Sequence, residues 1–61
     1  MIIFEGDFVQ LWDNFNGSND AWLQVVTIEP YDICILSNGA MVCASDHYIS
    51  AVKSAFEVKH R

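Results

Sequence analysis

Tyr31 to Ala44, YDICILSNGAMVCA, decides the fold, because two apolar runs flank Asn38-Gly39 within it. Asn-Gly tolerates positive φ at both central positions of a type I′ turn, so the stretch predicts a two-residue β-hairpin. That loop sets a register. Ser37 faces Ala40, Leu36 faces Met41, Ile35 faces Val42 and Cys34 faces Cys43. Cys34–Cys43 is then a non-hydrogen-bonded pair, the closer kind. Ile33, Ile35 and Val42 share one face, and Cys34, Leu36, Met41 and Cys43 share the other. Both faces are apolar, so the hairpin has to be covered twice.

Upstream, Ala21 to Glu29, AWLQVVTIE, predicts a strand. Val25 to Ile28 are β-branched in series, which suits a pleated strand better than a helix. Simple alternation groups Trp22, Gln24, Val26 and Ile28 against Leu23, Val25 and Thr27. Pro30 has no N–H for a ladder and ends this strand. Met1 to Trp12 predicts a strand pair or one bent strand, with Glu5-Gly6-Asp7 as the turn or bulge. Between these strands, Asp13 to Asp20, DNFNGSND, is the longest polar stretch and predicts a loop, the preferred place for a binding function.

Downstream of the hairpin the period changes. Tyr48, Ile49, Val52, Ala55, Phe56 and Lys59 fall at helical spacing. Ser45 suits an N-cap, Asp46 the first turn, and Lys59, His60 and Arg61 the last. Lys53–Glu57 and Glu57–Arg61 are i,i+4 pairs. These signals predict a helix from about 46 to 58. The expected fold is α+β, mainly β. It is a single domain over 1–61, a four-stranded antiparallel meander with the C-terminal helix packed on it.

The order of elements also resembles an SH3-like small barrel, an all-β alternative. Gly6-Asp7-Phe8-Val9 is similar to the entry of a barrel strand, and Trp22 opens the next strand after a polar loop. Ser45-Asp46-His47-Tyr48-Ile49 resembles the short turn before the last strand of such barrels, whose Tyr often lines a peptide groove. The resemblance implies that 50–53 form a closing strand.

Charge narrows the partners. Residues 1–52 hold seven acids and no Lys or Arg, within a net charge of −5. A body without cations cannot neutralise phosphates, so direct nucleic-acid binding and attraction to an anionic membrane are not expected. A neutral or basic protein partner is. The chain is 52% apolar. A chain of this length buries only about 60% of the surface its unfolded form exposes, so an apolar patch should remain for self-association or for a partner. No basic region followed by an apolar run opens the chain and no segment reaches membrane-span length, so a cytoplasmic protein is expected.

No catalytic signature emerges, and the protein is not expected to be an enzyme. Cys43 and His47 lack an orienting third group, and the two cysteines lack two further zinc ligands at zinc-like spacing. The cysteines are expected to be reduced and buried as small hydrophobes, with a cross-strand disulfide as the oxidised alternative. No metal or cofactor is implied. Trp12, Phe15 and Trp22 bracket the polar loop, with Asp13 and Asp20 as a charged rim, and form the candidate partner-binding site. Function is therefore expected to be that of an acidic accessory protein that docks on another protein, of a size that would suit a phage or other mobile element. The alternative is an acidic nucleic-acid mimic that inhibits a DNA- or RNA-binding protein.

Overall fold

The computed structural model describes residues 1–12 and 21–56. Its elements are β1 (Phe8–Leu11), β2 (Leu23–Glu29), a 3-10 turn (Pro30–Asp32), β3 (Ile33–Leu36), β4 (Met41–Cys43) and β5 (Ile49–Lys53). They form one antiparallel sheet in the order β4-β3-β2-β1-β5. β4 and β5 are the edge strands, and β5 pairs with β1, far from it in sequence.

The helix predicted over 46 to 58 does not pack on this sheet. Residues 46–48 form a turn and 49–53 a strand, while 57 and 58 lie outside the described residues. Ile49 is buried, but Val52 and Phe56, expected to dock on the sheet from one helical face, are exposed. The ladder explains the outcome. Val9 and Leu11 are buried on β1, whose backbone groups on the side away from β2 need partners. β5 supplies them, with Val9 opposite Val52 and Leu11 opposite Ile49. Ile49 and Val52 are β-branched and indifferent helix formers, so tertiary pairing overrides the weak helical pattern. The small all-β alternative is compatible with this arrangement.

β2 serves its two neighbours with different halves. Leu23 and Gln24 pair with β1, and Val25 to Glu29 pair with β3. The register shifts between Val25 and Thr27, which leaves Val26 as an extra, exposed residue. Such a bulge bends the strand and increases its twist. It also changes the faces. Val25 pairs with Leu36 and Ile28 with Cys34, so Val25 and Ile28 lie on one side. The expected alternation, which set Ile28 against Val25, is corrected by that one inserted residue. Inside the curl, Ile3, Val9, Leu11, Val25, Cys34, Leu36 and Ile49 make the core.

Glu5 holds the bulge. One carboxylate oxygen accepts from the Thr27 hydroxyl at 2.9 Å and from the Ile28 amide at 3.0 Å. The Ile28 amide, then the Thr27 hydroxyl, keep the Glu5 carboxyl below its ordinary value of 4.5. A depressed carboxylate stabilises the fold above its unfolded pKa, and that contribution is lost as pH falls through the folded value. Glu5→Gln should therefore lower stability at pH 7 and flatten the decline between about pH 5 and pH 3. Urea melts at several pH values check this. An unchanged acid decline would remove Glu5 from the account of acid sensitivity.

The hairpin forms, with a different loop. Gly39 has φ 88° and Asn38 is not in the left-handed region, so the type I′ turn, which needs both, is absent. Gly39 N–H donates to Leu36 O at 2.9 Å, and Leu36 N–H donates to Ala40 O at 2.8 Å. The Asn38 side-chain oxygen accepts the Ala40 amide at 3.0 Å. The loop is thus Ser37-Asn38-Gly39, a three-residue connection with glycine at the left-handed position. The extra residue slips β4 by one. Ile33 faces Cys43, Cys34 faces Val42 and Ile35 faces Met41. A slip of one moves every β4 side chain to the other face. Cys34 and Cys43 are therefore not a pair: Cys34 is buried, Cys43 is exposed, and both are free. Burial, with Asp32 and Cys43 nearby, pushes the Cys34 thiol up from 9.0, so it stays a protonated core residue.

Candidate functional site

Trp12 follows the last residue of β1 and sits against the turn that precedes β5. Its amide donates to Tyr48 O at 3.3 Å, and its indole Nε1 donates to Asp46 O at 2.9 Å. Ser45 builds that turn, not the helix N-cap expected of it, since 46–48 turn and 49–53 form a strand. Ser45 O accepts the amides of Tyr48 and Ile49, and Ser45 Oγ accepts the His47 amide at 3.2 Å. The His47 and Tyr48 rings meet edge to face with centroids 4.8 Å apart. Tyr48 is half-buried and packs against the core, while Trp12 keeps 47% of its surface exposed. The result is an aromatic side chain held by both its amide and its ring nitrogen, with one face still open.

Trp22 lies just before β2 and is also exposed. Lys53 Nζ sits 4.3 Å from its ring centroid, a cation–π contact. Lys53 belongs to β5 rather than to a helix, and Glu57, its expected i,i+4 partner, lies outside the described residues. Trp12 engages the turn before β5 and Trp22 engages the last residue of β5. No contact joins the two rings. Asp13, Phe15 and Asp20, the remaining candidates, lie outside the described residues.

The described acids do not gather. Glu5 is spent on the β2 bulge, and Asp7, buried, accepts the Phe4 amide at 3.0 Å. Glu29 and Asp32 border the turn between β2 and β3, and Asp46 marks the turn before β5. Among the described residues no pocket opens, and no three His, Cys, Asp or Glu side chains are placed to share a metal ion. No helix among them is long and apolar enough to cross a membrane.

Tyr31 is a further exposed aromatic, outside the candidates read from the sequence. It is 93% exposed, on the 3-10 turn. Its φ is 66° and that of Asp32 is 58°, two consecutive non-glycine residues in the left-handed region. Each such residue costs on the order of 1 kcal/mol or more. The strain follows from the way Pro30 stops β2 and the Asp32 carbonyl accepts the Ala44 amide at 2.8 Å, which fixes the chain at both ends of the turn. The sequence hints at it only through Asp32, since aspartate tolerates the left-handed region whereas a tyrosine is rarely placed there.

No protein-family model, curated protein or solved structure matches this chain.

Proposed function

We propose that this protein is a non-enzymatic, acidic accessory protein that docks on another, neutral or basic protein with Trp12 as the anchor. The observation that carries the proposal is the fixed but open Trp12 ring, tied through Nε1 to Asp46 O. A large aromatic immobilised before binding loses little entropy on docking, and such residues dominate interface energies. Phe15 and Trp22 are the further contact residues of this proposal, with Asp13 and Asp20 as its charged rim. The absence of Lys and Arg before residue 53 supports a protein partner over nucleic acid or an anionic membrane. Among the described residues, Glu5 and Asp7 are engaged in hydrogen bonds within the fold and Glu29, Asp32 and Asp46 fall at two turns. That favours docking over nucleic-acid mimicry, which needs a linear array of charge. A cytoplasmic setting, and an origin in a phage or mobile element, belong to the same proposal.

Trp12→Ala tests it. The substitution removes an exposed hydrogen bond and the covered half of the ring surface, and should cost about 1–3 kcal/mol of stability. Loss of a central aromatic anchor should cost about 2–4 kcal/mol of binding, on the order of 30-fold or more in affinity. Crosslinking and affinity capture with wild type, Trp12→Ala and Tyr31→Ala would compare the surfaces. A partner held equally by wild type and Trp12→Ala would remove Trp12 from the interface.

A further inference from the structure

The open edge of β4 and the outer face of β3 and β4 take no part in that docking proposal. Two hydrogen bonds fix which way β4 turns its backbone. Leu36 N–H donates to Ala40 O and Ala44 N–H donates to Asp32 O, each at 2.8 Å. Hydrogen-bonded pairs alternate along an antiparallel ladder, so Val42, midway between Ala40 and Ala44, also directs its polar groups to β3. Met41 and Cys43 direct theirs away, to the edge. On that side the Cys43 carbonyl accepts the Ser45 amide at 2.9 Å and keeps a second lone pair. Among the described residues, β4 is the last strand of the sheet and pairs only with β3. The side chains of Met41 and Cys43 face outward with their ladder partners Ile35 and Ile33. Met41 is 64% exposed and Cys43 is exposed.

Charge argues for what covers this surface. From Ile33 to Ser45 there is no Asp, Glu, Lys, Arg or His, in a chain of net charge −5. A cationic partner finds nothing to pair with here. A second copy of the chain, repelled wherever acids would face acids, meets no repulsion here. The other edge strand, β5, carries Lys53, a residue type that blunts sheet edges, and β4 carries no such residue.

We infer that two copies of this chain pair β4 to β4, antiparallel, about a two-fold axis. Val42 then faces the partner's Val42. Met41 exchanges both backbone hydrogen bonds with the partner's Cys43, and the symmetric pair repeats the exchange. Met41 and Cys43 extend the outer apolar strip of Ile33 and Ile35 across the axis.

Sedimentation equilibrium of the whole protein, from about 10 μM to about 1 mM, tests this because a small interface associates only at high concentration. The wild-type mass should rise from 6.9 kDa toward twice that value. Met41→Lys and Cys43→Lys each place a charge at the axis on an exposed position. Both should stay at the monomer mass with an unchanged circular dichroism spectrum. A wild type that stays monomeric overturns the inference, as does either folded variant that dimerises like wild type. If neither variant folds, hydrogen exchange of the wild-type Met41 amide decides: protection must rise with concentration, and constant exchange refutes the pairing.

Discussion

Leu11→Ala is expected to leave the protein largely unfolded or close to it at 25 °C. Leu11 is 1% exposed and lies in the core cluster with Val9, Val25, Leu36 and Ile49. It faces Ile49 across the ladder, so it also packs the junction between β1 and β5. Truncating a buried leucine removes its transfer free energy and leaves a cavity, together worth about 3–5 kcal/mol. Against this stands the whole stability of a 61-residue domain, about 3–9 kcal/mol at typical values per residue. The two ranges overlap, which makes a single core methyl cluster decisive in a fold of this size. Urea unfolding followed by circular dichroism measures the loss. Val52→Ala is the control, since Val52 occupies the same ladder but is exposed, and should cost less than about 1 kcal/mol. Equal losses at the two positions would mean that Leu11 is not in the core.

The sequence of β5 fits two periods. Ile49 and Val52 stand three apart, which satisfies a helical stripe as well as a strand interrupted by an irregularity. The interruption exists: Gln10 faces Ala51 and Leu11 faces Ile49, so Ser50 is the extra residue. A period-two pattern broken by one residue looks helical over a short window, and the capping signals at Ser45 were real but served a single turn. β2 hid its bulge in the same way. Its β-branched run identified the strand, yet nothing local distinguishes Val26 as the inserted residue among Val25, Val26 and Thr27. What decides is Glu5, 23 residues away from the Ile28 amide it binds. Long-range partners of this kind lie outside any local pattern. Of the candidate residues Trp12 and Trp22 are exposed, a fact that the polar stretch between them does not by itself announce, since tryptophans at strand ends equally plug a small core. That Asp46 O and Lys53 Nζ would engage those rings depended on β5 being a strand beside β1.

Gly39→Val should cost about 1–2 kcal/mol, and the loss should come from the backbone alone. Gly39 has φ 88°, where a β-branched residue is strained, and a Cβ built there meets nothing within 4 Å. Space is therefore not the obstacle. Gly39→Asn should recover much of the loss, because asparagine tolerates the left-handed region better than valine. The neighbouring position separates the two possible loops. In a type I′ turn Asn38 would also need positive φ, and Asn38→Val would cost as much as the change at Gly39. In the observed loop Asn38 has no such requirement, and its substitution removes only the exposed Oδ1 bond to the Ala40 amide, worth less than about 1 kcal/mol. Thermal melts of the two valine variants should thus separate clearly, with Gly39→Val the lower. Equal melting temperatures would restore the two-residue loop and with it the Cys34–Cys43 pairing. The register decides more than the cysteines. Both loops turn the Met41 and Cys43 amides to the edge, but only the three-residue loop also turns their side chains outward beside Ile35 and Ile33, so the same pair of melts bears on whether β4 presents an apolar strip to its copy.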